Sequence, residues 1–154
     1  MNGIRHMHIH DVPGKHSAEH EGYEMVRRQF VPKGEAKNTQ VSIYEIPPGK
    51  SGYPYHYHMK NEETFYIISG EGLLRTPEGE KKVGAGEIIF FPSGPEGAHK
   101  LTNIGTDTLV YIDFDVYHEL EACIYPDSGK MGIWGMDINR VYRYDENVDY
   151  FDGE

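Results

Sequence analysis

The stretch YPYHYHMKNEETFYIISGEG, Tyr53 to Gly72, carries two histidines one residue apart and a pair of glutamates just beyond them. Along a strand, side chains alternate between faces. His56 and His58 therefore point one way, and Tyr55 and Tyr57 the other. Two imidazoles at i and i+2, roughly 6–7 Å apart along the strand, can converge on one ion. If the short connection Met59–Asn61 joins two paired strands, Glu63 comes close to both. Two imidazoles and one carboxylate suit a first-row divalent metal. His-x-His by itself is equally a decorated polar strand face, so the stretch does not decide the matter alone.

The rest of the chain reads as strands. Turn-forming clusters recur at IPPGKSG (46–52), SGEG (69–72), TPEGE (76–80), GAGE (84–87), PSGPEG (92–97) and NIGTDT (103–108). Between them lie runs rich in β-branched and aromatic residues: 39–46, 53–58, 63–69, 72–76, 87–91, 98–103, 108–114 and 119–125. Many short strands with turns every ~8–12 residues predict an all-β sandwich or barrel. Upstream, 4–10 and 23–31 read as further strands. After Pro126 the pattern weakens, and the acidic, turn-rich remainder reads as a tail lying over the barrel.

Composition narrows the possibilities further. The 154 residues suffice for one domain with its own core, and one cysteine allows no internal disulfide. A net charge of -10 repels phosphate backbones and argues against nucleic acid as a partner. No apolar run is long enough for a membrane span, and the first residues lack the apolar region of a signal peptide. The expected location is the cytoplasm.

A second segment completes the first. Gly86 is followed after five residues by Pro92-Ser93-Gly94, after four more by His99, and after three more by Asn103. The first segment runs His56-x-His58, four residues, Glu63, six residues, Gly70, with Gly49 upstream. Together the two resemble the paired motifs of the cupin superfamily, and TPEGE (76–80), FPSGPEGAH (91–99), YPDSGK (125–130) and VDYFDGE (148–154) look like a group of small bacterial single-domain cupins, some labelled sugar phosphate isomerases. Two departures stand out. Six residues rather than five separate Gly49 from His56, and the second motif carries two extra residues before His99.

The resemblance implies a double-stranded β-helix, a jelly-roll barrel, over residues 39–125. Residues 1–38 would pack on it as an N-terminal arm and 126–154 as a C-terminal tail. It implies a divalent transition metal (Fe, Mn, Ni, Co, Cu or Zn) held by His56, His58, Glu63 and His99, with coordination positions left open. Glu62 is the rival of Glu63. Both the spacing to Gly70 and strand alternation favour Glu63. Phe65, Ile67, Leu74, Phe90, Leu101 and Tyr111 are candidates for lining the barrel around the metal, or for plain core. Tyr53, Tyr55, Tyr57 and Tyr66 would cover an outer sheet face, for which a second copy in a homodimer is the natural partner.

The expected activity is metal-dependent isomerase, decarboxylase or dioxygenase chemistry on a small oxygenated molecule, a sugar, sugar phosphate, keto acid or hydroxy acid. The alternative is a non-catalytic cupin that binds or senses such a ligand. His6, His8 and His10 read as one face of an edge strand, with no carboxylate placed to complete a second site. Cys123 reads as a buried inert thiol.

Overall fold

The computed structural model describes residues 3–145 and 147–154. It contains thirteen strands and three single turns of 3-10 helix. One sheet has six strands in the order β1 (Gly14–His20), β2 (Tyr23–Val31), β3 (Thr39–Ile46), β10 (Leu109–Val116), β5 (Glu63–Ser69) and β8 (Ile88–Phe91). A four-stranded sheet runs β13 (Ile138–Arg143), β12 (Lys130–Gly135), β11 (Leu120–Tyr125) and β4 (Tyr57–His58). A three-stranded sheet runs β7 (Gly79–Gly84), β6 (Glu71–Thr76) and β9 (Lys100–Asn103). All strand pairs are antiparallel. This is the jelly-roll architecture expected from the pattern of short strands.

The two smaller sheets meet at a bridge between His56 and His99. Each residue donates its backbone N–H to the other's carbonyl, at 3.1 and 2.9 Å. Both histidines thus sit at a seam, opposite the six-stranded sheet. The core between the walls is formed by Tyr44, Ile46, Phe65, Ile67, Leu74, Val83, Phe91, Leu101, Leu109 and Tyr111. Alternation along β10 and β5 puts their inward side chains there and leaves the intervening ones on the outer face.

Asn103, the last residue of the second motif, explains itself as a structural tie. It is fully buried, and its Nδ2 donates to the Ile46 and Asp107 carbonyls at 2.7 and 2.8 Å while its Oδ1 accepts from the Gly105 N–H at 2.9 Å. It locks two turns together below the site.

Three expectations are corrected. Residues 4–10 form no strand; the N-terminal strand is β1, polar and exposed, so it carries no apolar period to betray it. Residues 130–143, inside the stretch read as a patternless tail, form the hairpin β12–β13, which widens the four-stranded sheet. Its turn holds Met136 and Asp137 at φ 49° and 64°. That left-handed pair is the usual place of Asn-Gly, so the hairpin has no sequence signature. Finally, β4 does not pair with β5. It pairs with β11, His58 opposite Cys123. Glu63 therefore reaches the histidines across the barrel interior, from the facing sheet.

Candidate metal centre

His56, His58, Glu63 and His99 converge from three sheets. Glu63 Oε2 lies 3.4 Å from His58 Nε2 and 3.3 Å from His99 Nε2. The His56 ring centroid is 5.2 Å from that of His58 and 4.8 Å from that of His99. Ligand atoms bound at ~2.0–2.2 Å to one ion lie roughly 3–3.4 Å apart, so these separations suit a shared ion. Glu62, the sequence neighbour, is exposed.

The hydrogen-bond pattern orients the rings for that purpose. A carbonyl only accepts, so Nδ1 of His56 must donate to the Pro54 carbonyl, and Nδ1 of His99 to the Gly97 carbonyl, each at 2.8 Å. Burial pushes the His56 imidazole down to about 3 and lowers His99 as well, so both rings are neutral. Their Nε2 atoms then carry lone pairs aimed inward, as in metal-ligating histidines whose other ring nitrogen donates to a backbone carbonyl. His99 Nε2 and Glu63 Oε2 face each other as two acceptors, and both are buried without a hydrogen-bond partner. Two acceptors at that distance repel, and a cation bound between them would turn the repulsion into attraction. The donor set fits a first-row divalent ion.

His58 differs. Its burial opposes charge, but Glu63 overrides this and raises the imidazole, while His58 in turn holds the buried Glu63 carboxyl down. Its Nδ1 faces Cys123 Sγ at 3.2 Å and Glu121 Oε1 at 3.7 Å. Glu121 also accepts the backbone N–H groups of Met59, Lys60 and Asn61, which fixes the loop between His58 and Glu63.

The two extra residues of the second motif are absorbed in one 3-10 turn, Pro95–Gly97. Gly94 N–H donates to the His58 carbonyl at 2.7 Å, which ties the enlarged loop to the ligand strand. His99 is left in place, its ring stacked on Phe91 with centroids 3.8 Å apart.

The cluster opens into a cavity of about 410 Å3. Of the expected lining residues, Phe65, Leu101 and Tyr111 face it. Ile67 and Leu74 belong to the aliphatic core instead. Phe90 is on the wrong face: β8 pairs Phe91 with Glu63, so alternation turns Phe91 inward and leaves Phe90 59% exposed. Tyr53 also lines the cavity, and Tyr55 is buried under the Arg75 guanidinium, 4.0 Å from its ring centroid. Those two tyrosines cover no outer face.

The wall includes groups that spacing along the chain did not suggest: Arg27, Gln40, Asp113, Asp115, Glu121 and Cys123. Asp113 and Asp115 are buried on β10, each with an unpartnered Oδ1. Burial, then the neighbouring Glu63, pushes Asp113 well above the usual carboxyl range and Asp115 up to about 7. His6, His8 and His10 join no three-residue ligand group among the described residues. Among those residues, no helix is long and apolar enough to cross a membrane.

Comparison with known proteins agrees with this architecture. The cupin domain model matches residues 42–117. An uncharacterised protein of Methanocaldococcus jannaschii is 32% identical over 91 residues, 58% of this chain and 64% of that protein. An oxalate-binding protein of Thermotoga maritima is 28% identical over 81 residues, 51% of this chain and 64% of that protein. The chain thus spans just under two thirds of the length of each. Among solved structures, a sugar phosphate isomerase of Silicibacter pomeroyi superposes with a TM-score of 0.82 at 18% identity, over 96% of this chain and 98% of that one. A polyketide cyclase of Streptomyces resistomycificus does so with a TM-score of 0.63 at 24% identity, over 74% and 80%. At such identities the structural likeness speaks for the fold alone, and similar folds host different chemistries. By its family match, its paired motifs and its jelly-roll barrel, the chain belongs to the cupin superfamily.

Proposed function

We propose that this cupin is a metal-dependent enzyme acting on a small oxygenated molecule, a sugar, sugar phosphate, keto acid or hydroxy acid. The divalent ion would be held by His56, His58, Glu63 and His99. The observation that carries this reading is the inward convergence of three imidazoles and one carboxylate, with His99 Nε2 and Glu63 Oε2 buried and unpartnered. When bound, such an ion acts as a Lewis acid toward a chelating substrate oxygen, or as an oxygen-activating centre if it is iron. Asp113 and Asp115, on the same wall, are placed to hold or pass a proton beside it.

Similarity to an oxalate-binding protein favours a second reading, in which the pocket binds such a ligand without turnover. Elemental analysis of untagged protein tests the site, because a histidine tag and the His6, His8, His10 run can carry metal of their own. About one ion per chain is expected, and none would remove the basis of both readings. With metal present, product formation from a panel of sugar phosphates, keto acids and hydroxy acids separates them. A ligand that raises the melting temperature and is never converted leaves only the binding reading.

We further infer a homodimer. The outer face of β10, β5 and β8 exposes Phe114, Val116, Tyr66, Ile68, Ile88 and Phe90, with Ile88 72% and Phe90 59% exposed. A contiguous apolar sheet face of this kind is where a second subunit gains most by burying area. Phe90→Asp combined with Ile88→Asp is expected to halve the mass measured by light scattering while leaving the circular dichroism spectrum unchanged. A wild-type protein that already elutes as a monomer at ~10 μM contradicts the assignment.

A further inference from the structure

The arginines of this chain differ in what they face. Arg5, Arg28 and Arg75 pair with Glu35, Glu45 and Asp127. Arg140 and Arg143 lie exposed on β13. Arg27 is half-buried in the cavity wall, and no carboxylate of a described residue lies within ion-pair distance of it. Its Nε donates to Ser42 Oγ at 3.2 Å, and its guanidinium carbon lies 5.5 Å from the Tyr44 ring centroid. A hydroxyl and a ring face are neutral partners. They fix the guanidinium in position without a direct ion pair, and the opposite charges that act on it from a distance are the buried Asp113 and Asp115.

Placement says what the charge faces. Strand alternation sends Arg28 outward to Glu45 and Arg27 inward, opposite Tyr44 on β3. Across the same inner face, Tyr44 pairs with Tyr111 on β10, and Asp115 pairs with Glu63 on β5. Arg27 and Glu63 thus stand on strands three places apart in one sheet, about 14 Å across the strands, and Glu63 lies four residues along β5 from Ile67, the residue in register with Arg27. The tyrosines and the cavity lie between them. Lys33 and Lys100 also line the cavity, and neither makes an ion pair with a described residue. Their ammonium groups rest over the rings of Tyr117 and Tyr23. Three cationic side chains thus line the cavity of a chain whose net charge is -10, beside the carboxylates of Glu63, Asp113, Asp115 and Glu121.

We propose that Arg27 is the subsite for an anionic group of the substrate, a phosphate or a carboxylate, so that the cavity selects anions over neutral sugars. This rests on the metal-centre reading for the substrate's other end, but not for the anion contact itself. A guanidinium presents two parallel N–H donors to such a group, which a lysine does not.

The test compares glucose, gluconate and glucose 6-phosphate, one carbon skeleton with no charge, a carboxylate or a phosphate. Binding is measured by calorimetry on the protein as purified, on Arg27→Met and on Arg27→Lys, with metal content recorded for each. At least one of the two anions is expected to bind the wild type tenfold or more tighter than glucose. Which of them does so names the group. Arg27→Met is expected to remove that preference at unchanged metal content, and Arg27→Lys to keep part of it. A purely structural counter-ion to Asp113 and Asp115 would lower the melting temperature of Arg27→Met and leave the preference intact, which overturns the assignment. Equal binding of glucose and both anions by the wild type, or binding of none, also overturns it. Repeating the titrations after metal removal keeps the two readings apart. An Arg27-dependent preference without metal upholds the subsite even if the metal centre fails. Metal at one ion per chain with no Arg27 dependence upholds the centre and removes the subsite.

Discussion

Replacing His99 by alanine is expected to strip the protein of its metal, from about one ion per chain to under roughly a tenth after dialysis. Changes to groups that merely orient metal ligands cost ~10–100-fold in affinity, and removing a ligand costs more. His99 offers an Nε2 lone pair because its other nitrogen is committed to the Gly97 carbonyl. Alanine removes the donor, and the rings packed on it, Phe91 stacked and Phe65 edge-on, carry no atom that can replace it. His56→Ala, His58→Ala and Glu63→Ala should behave alike. Glu62→Ala should keep its full metal content, because that side chain is exposed and one strand position out of phase. Elemental analysis of the five variants checks the set together. Metal retained in His99→Ala, or lost in Glu62→Ala, would mean that the ligand set is wrong.

Gly70→Ala is expected to cost about 3 kcal/mol or more, a fall of roughly 6–12 °C in melting temperature. Gly70 joins β5 to β6 at φ 88°, a backbone conformation that side chains disfavour. That strain alone is worth about 1–2 kcal/mol. A Cβ there would also lie 2.7 Å from Leu109 Cα and 2.9 Å from the Thr108 carbonyl oxygen, both backbone atoms that cannot step aside. Leu109 is fully buried, so relief would have to displace the core end of β10. Gly49→Ala is the control: its φ is 74°, but its Cβ position is open. Thermal unfolding of both variants separates strain from collision. A Gly70→Ala protein no less stable than Gly49→Ala would show that the close approach carries no energy.

The all-β class and the four converging side chains were legible in the chain itself. Strand alternation is a local property, so His56 and His58 could be placed on one face without knowing what lay opposite. Glu63 and His99 joined them through the resemblance of the two motifs to those of cupins, since the hairpin that would have brought Glu63 near does not form. The enlarged loop before His99 did not mislead, because the added residues close into a turn of their own. Parity was less secure. Phe90 and Phe91 are adjacent and chemically alike, and only the pairing of β8 with β5 tells which one enters the barrel. The β12–β13 hairpin was hidden because its exposed turn residues Met136 and Asp137 take positive φ without being the residues that advertise such a turn.

What tertiary structure alone decided is the company the donor cluster keeps. His58 stands beside Cys123 and Glu121 because β4 pairs with β11, more than sixty residues away in the chain. Asp113, Asp115 and Arg27 reach the cavity because β2, β3, β10 and β5 lie side by side, an order that no short-range pattern encodes. Local sequence determined which side chains share a strand face. Which faces meet depended on burying all the apolar faces at once, and that is a property of the whole chain.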